Sequence, residues 1–354
     1  MSSLAISLYL TLMSNLRRSI KVVKTMRAKK GSAPADAYTK ELLLHLAEHG
    51  YQGRVVSIQH LPELQKEIEE RFNQGLFDEE FYRLRLAFYD FKASESLPEA
   101  KSITVVAVPR PQAQATFTFE GERKALILPP TYVAYQQTTN RVAEFLTGIF
   151  KEKGYNIART ALPLKLLAVR SGLAEYGRNN ITYVSGMGSF FQLVALYSDM
   201  PCREGTWREA RMMKQCENCQ ACHLSCPTGA ISSDRFLLHA ERCIAFRNER
   251  KGDVPFPTWI DPSWHNCLYG CLHCQRVCPE DRHFLNCIVE KEEFSQEETE
   301  LLLRGRLLDH LPSTTLEKLK NLDLADPDSL DNLPRNLRVF FGSGKDVGIQ
   351  NASA

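Results

Sequence analysis

Between residues 35 and 50, Tyr38, Leu42 and Leu46 recur at four-residue steps and the run ends on a glycine, which predicts an amphipathic helix with a glycine stop. Residues 54–58 and 103–108 read as strands. The second is an almost unbroken apolar run, the pattern of a strand covered on both faces. Residues 115–119 and 124–128 flank Glu-Gly-Glu-Arg and predict a hairpin. Val142, Phe145, Leu146, Ile149 and Phe150 then mark one face of a long helix that stops before Gly154. A helix over 164–170, a loop at 177–180, a strand over 181–184, a tight turn at 186–188 and a strand over 190–197 follow. Near the end, Ser295 to Glu298 forms a capping-box pattern, and Pro312, Pro327 and Pro334 are expected to break the remainder into short pieces.

Mixed strands and helices over 31–205 predict one α+β domain with a central sheet. The expected organisation places a poorly ordered leader at 1–30 before it, a cysteine-rich ferredoxin-like unit at 206–290 after it, and a helical tail at 291–354 as a cover. At 354 residues, with 44% hydrophobic and 24% charged content, the chain is long enough for two or three compact units. Its net charge of +2 carries no strong footprint of a dedicated nucleic-acid binder. The apolar run from Leu4 to Met13 is too short for a bilayer, which needs about twenty residues. Its basic residues also follow the run rather than precede it, the reverse of a signal peptide. No other segment looks able to cross a membrane, so a cytoplasmic location is expected.

In a reducing compartment, eleven cysteines point to metal binding rather than to disulfides. Cys216, Cys219 and Cys222 recur at three-residue steps, with Cys226 directly before Pro227; Cys271, Cys274 and Cys278 form a second group, with Cys278 directly before Pro279. In the bacterial ferredoxin run of this spacing the fourth cysteine serves the other cluster. Exchanging fourth ligands gives one 4Fe-4S cluster on Cys216, Cys219, Cys222 and Cys278. The other falls on Cys271, Cys274, Cys226 and one distant thiol, for which spacing leaves both Cys243 and Cys267 open. Zinc sites favour separated cysteine pairs over three thiols at consecutive short steps. His223 and His273 read as groups outside the ligand shell, and Cys202 and Cys287 as small buried hydrophobes.

The segments CENCQACHLSCPTGAI (216–231), RCIAF (242–246) and YGCLHCQRVCP (269–279) resemble the epoxyqueuosine reductase family, as do SGLAEYGRNN (171–180) and GSFFQLVALYSDMP (188–201). The resemblance is dense from about residue 158 to 281 and faint before it. It implies a nitroreductase-like cobalamin-type domain ahead of a ferredoxin-like domain, two 4Fe-4S clusters, and cobalamin bound without a protein histidine on cobalt. It also implies Cys243 as the distant ligand, with Cys267 to spare. By the same likeness Arg178, Asn179, Asn180, Gly188 and Ser189 would approach the corrinoid. The implied function is an iron-sulfur oxidoreductase that passes electrons through the clusters to a corrinoid. An electron donor such as ferredoxin or flavodoxin and a small-molecule or tRNA substrate complete the picture. The competing reading is a non-catalytic electron-transfer or corrinoid-handling protein.

One departure stands out. Where the family carries an aspartate proton donor and a glutamate six residues on, this chain has Ala158 and Leu164, or with one gap Arg159 and Lys165. A positioned acid is needed when a carbon-oxygen bond is reduced. Tyr132, Tyr135, Tyr176, Glu175 and Lys165 are the available substitutes. The family's Gly-Trp pair is also replaced, by Ala174 and Glu175.

Overall fold

The computed structural model describes residues 34–202, 206–305 and 311–342. The leader expected at 1–30 lies outside them.

The apolar runs become strands buried on both faces. Strands β1 (Gln52–Ser57), β2 (Ser102–Pro109), β5 (Ile157–Arg159) and β8 (Phe191–Ser198) make an antiparallel sheet in the order β1-β2-β8-β5. Every residue of β8 is buried, which its position at the centre of three layers requires. On one face Val106, Val194 and Leu196 meet Leu42 and Leu46 of helix α1 (Pro34–Glu48). Val142, Leu146 and Phe150 of α4 (Tyr135–Glu152) cover the same face. On the other, Ile103, Val105, Leu193 and Ala195 meet Leu64 and Ile68 of α2 (Leu61–Asn73) and Leu166 and Leu167 of α5 (Leu164–Arg170). Full burial of such side chains contributes about 1.5–3 kcal/mol each, so the sheet is the rigid platform for everything attached to it.

The predicted hairpin forms, as β3 (Gln112–Phe119) and β4 (Glu122–Leu128), but it leaves the central sheet. The free edge of β3 pairs in parallel with β9 (Ile288–Phe294), from the start of the expected helical tail. The tail is therefore stitched into a second sheet. Its helices α9 (Gln296–Arg304), α10 (Ser313–Asn321) and α11 (Pro327–Phe341) bury Leu302, Leu303, Leu319, Leu333 and Leu337 against Ala113, Ala115 and Phe117. The capping box at Ser295 and Glu298 opens α9 as the sequence predicts.

Pro334 does not break the chain as expected. It lies inside α11, where the loss of one backbone donor is outweighed by burial of Leu330, Leu333 and Leu337 around it. Between the sheets sits the cysteine-rich segment, irregular apart from short helices α6 (Ala221–Ser225), α7 (Ile244–Asn248) and α8 (His273–Arg276).

Candidate functional site: two thiol sets and a cavity

The eight expected ligands fall into two neighbourhoods. Burial pushes the Cys222 thiol up to about 11, and its next perturbers are Cys216, Cys278 and Cys219. Cys274 is raised well above its ordinary value, by burial first and then by Cys271, Cys243, Cys222 and Cys226. Cys271 is raised by burial and then chiefly by Cys243. Thus Cys278 lies near Cys216 and Cys222 of the first run, and Cys226 near Cys243, Cys271 and Cys274. Bare thiols crowded in this way oppose one another's ionisation, and a positively charged iron-sulfur core is the partner that offsets it.

Among the described residues no three His, Cys, Asp or Glu side chains are arranged to hold one metal ion.

Local structure fixes the sulfurs. Cys243 occupies the N-cap position of α7, without a side-chain cap hydrogen bond. Cys278 occupies the N-cap position of the 3-10 turn Pro279–Asp281, likewise without a side-chain cap hydrogen bond. Cys267 is only 1% exposed and is pushed up to about 12 by burial. His223 Nδ1 lies 2.6 Å from the Ile231 carbonyl oxygen and His273 Nε2 lies 2.9 Å from that of Trp264. Both rings therefore brace the loops. Cys202 and Cys287 are half-buried rather than buried; Cys202 packs against the α1 and α4 face of the sheet.

A cavity of about 360 Å³ separates the second thiol set from the central sheet. Cys226, Cys243, Cys271 and Cys274 line one side, and Phe191, Gln192 and Leu193 of β8 line another. Cys216, Cys219, Cys222 and Cys278 are not among the residues that line it. Gly270, at φ +69°, shapes the approach to Cys271: a Cβ there would stand 2.6 Å from the Tyr132 ring.

Asn179, Asn180 and Ser189 also line the cavity, but their polar atoms are engaged elsewhere. Asn179 Nδ2 donates to the Tyr183 hydroxyl at 2.9 Å, and Asn180 Nδ2 to the Phe236 carbonyl at 2.8 Å. Ser189 donates through N and Oγ, both at 2.7 Å, to the Asp281 carboxylate. Arg178 and Gly188 serve the ferredoxin-like part instead of the cavity. The Arg178 guanidinium donates to the carbonyls of Cys216 at 2.7 Å, Cys219 at 3.0 Å and Glu217 at 3.3 Å. Gly188, at φ +56°, lets the Asp281 carboxylate approach to a point 2.5 Å from where a Cβ would lie. The loops expected to hold a corrinoid are thus chiefly the joint between the two domains.

Sequence reasoning missed Asp281 and Glu249. Burial holds the Asp281 carboxyl up at about 6, although the Ser189 bonds pull the other way. Glu249 accepts from the Tyr132 hydroxyl and pairs with Arg85 at 2.8 Å. Neither carries a sequence signal, because both partners come from distant segments. Of the substitute acids, Tyr132, Tyr135 and Lys165 line the cavity, and Glu175 and Tyr176 do not. Tyr132 and Tyr135 are raised by burial, whereas burial lowers Lys165. Ala158 lies in β5 and Arg159 binds Asn140 at 2.5 Å, so neither residue is part of the lining.

Residues 215–281 match a family described as a 4Fe-4S double cluster binding domain. Set on this sheet domain, they define the chain as a double-cluster iron-sulfur protein of α+β fold. The epoxyqueuosine reductase of Bacillus subtilis is 28% identical over 194 residues, covering 52% of this chain and 48% of the relative. That of Escherichia coli is 33% identical over 130 residues, covering 36% and 32%. In solved structures, the Bacillus subtilis enzyme superposes with a TM-score of 0.58 at 20% identity over 86% of this chain and 81% of the other. The Streptococcus thermophilus enzyme gives 0.57 at 18% identity over 85% and 80%. Over part of its length the chain is similar to epoxyqueuosine reductases, and its expected α+β plan, sheet domain then ferredoxin-like domain, is the one observed. It spans about half the length, or less, of the curated relatives it matches.

Proposed function

We propose that this protein is an iron-sulfur reductase that delivers electrons, one at a time, to a group bound in the cavity. The observation that carries the reading is the shared wall: the inner thiols and the central strand β8 line one space. Two 4Fe-4S clusters supply one-electron transfer when bound. Cys216, Cys219, Cys222 and Cys278 are assigned to the outer cluster, and Cys226, Cys243, Cys271 and Cys274 to the inner one. Leu224 is 79% and Val277 42% exposed beside these loops. They leave apolar surface where a small donor protein of the ferredoxin or flavodoxin kind can approach.

A corrinoid fits the cavity by position and by chemistry, since the wall offers apolar strand residues and no histidine other than His273, which braces Trp264. By size it fits in part: about 360 Å³ is at the small end of ligand cavities, which run from about 300 to 1,000 Å³. A bound corrinoid would supply low-valent cobalt as the reductant. The residues in position to touch it are Phe191, Leu193, Asn179, Ser189 and Lys165.

A related structure contains an epoxyqueuosine-modified tRNA stem loop, which makes such a tRNA the first substrate to test. The described residues lining the cavity include no Asp or Glu, so turnover of that tRNA is expected to be slow or absent. The test of the reading itself is cofactor content. Protein made anaerobically with cobalamin supplied should carry about one cobalt per chain beside its iron. Full iron with no cobalt would contradict the corrinoid and leave electron transfer alone.

A further inference from the structure

Lys165 occupies an unusual place. Its side chain lines the cavity and keeps much of its surface open, while the surrounding protein lowers its pKa by desolvation. Among the described residues its ammonium makes no hydrogen bond and no ion pair. Its neighbouring carboxylate, Glu249, is already engaged by Arg85 and the Tyr132 hydroxyl. Cys243 and Cys274, from opposite ends of the inner set, are the other anionic groups that act on it.

A buried, unpaired charge is costly unless something in the site compensates it. The inner cluster would do so, because four thiolates leave the assembled site anionic. The converse also holds. Adding an electron makes an anionic site more so, and in a water-poor setting that is harder than at the surface. A fixed cation beside the site offsets the penalty.

We infer that Lys165 is the electrostatic counter-charge of the inner cluster, a positioning residue that raises that cluster's reduction potential and keeps it able to receive electrons from the outer one. This rests on the proposed assignment of Cys226, Cys243, Cys271 and Cys274. The step it governs is one electron taken from a low-potential donor, with no bond made or broken.

The test is a dithionite titration of the anaerobically purified full chain, followed by EPR. In Lys165→Met and Lys165→Gln the inner midpoint should fall while the outer one stays in place, and Lys165→Arg should restore the wild-type value. Unchanged midpoints in the neutral variants would overturn the inference. So would equal falls in both clusters, or a fall that Arg does not restore, which mark a packing effect. Failure of the neutral variants to assemble the inner cluster, with Lys165→Arg assembling it normally, would support the same role at the level of binding. Wild-type protein lacking two reducible clusters would remove the ligand assignment, and the inference with it, before any variant is compared.

Discussion

The outer thiols sit in a half-exposed loop, with Leu224 and Val277 bare beside them and Arg178 bracing three of the loop's carbonyls. The inner thiols back onto a cavity, with Cys243 at the N-cap position of a helix and Lys165 unpaired across the space. Similar runs of cysteine and proline thus end in opposite environments. What differs is the frame: the outer set is held by loop carbonyls, the inner set by the packed sheet domain. The contrast agrees with the proposed direction of electron flow, from a surface entry to a group held in the cavity.

The largest effects should come from breaking the exchange of ligands between the sets. Cys226→Ala should abolish the inner cluster although Cys226 lies in the first run, and Cys278→Ala should abolish the outer one although it lies in the second. Iron counting and EPR would show which signal disappears. Cys267→Ala should lose neither, because that thiol is buried away from the cavity. Loss of the opposite cluster in either variant would mean that each run closes on itself.

A smaller effect concerns the joint. The Asp281 carboxyl is held at about 6 against an ordinary value of 3.8. The folded state therefore keeps a proton that the unfolded chain releases, and stability should fall as pH rises from about 4 to 6, by about 3 kcal/mol in all. In Asp281→Asn, thermal melts across that range should be flatter than in the wild type. A parallel pair of curves would show that the carboxyl titrates normally.

Smallest is Arg178→Ala, which removes three carbonyl contacts at a partly solvated site. About 2 kcal/mol of local stability is at stake. The expected readout is faster loss of the outer cluster's iron to a chelator, with the inner cluster unaffected. Equal rates of loss would erase the distinction between the two frames.

Much of this was legible in the sequence. The continuous apolar run at 103–108 announced a strand covered on both faces, the run at 190–197 announced a further strand, and cysteine spacing announced two groups of thiols. The pairing of the hairpin with β9 was not legible, because Ile288–Phe294 alternates weakly and its partner lies far back in the chain. Nor was the duty of Arg178, whose acceptors are backbone carbonyls without a side-chain signature. The missing carboxylate was visible as Ala158 and Leu164. Only the fold shows that Lys165 faces the inner thiols while Arg159 turns away to Asn140.

The most direct measurement is iron, acid-labile sulfide and zinc counted per chain in wild-type protein purified without oxygen. Two cubanes on eight thiolates predict about eight irons and about eight sulfides. Zinc filling the same thiols, with little iron or sulfide, would contradict the account at its root.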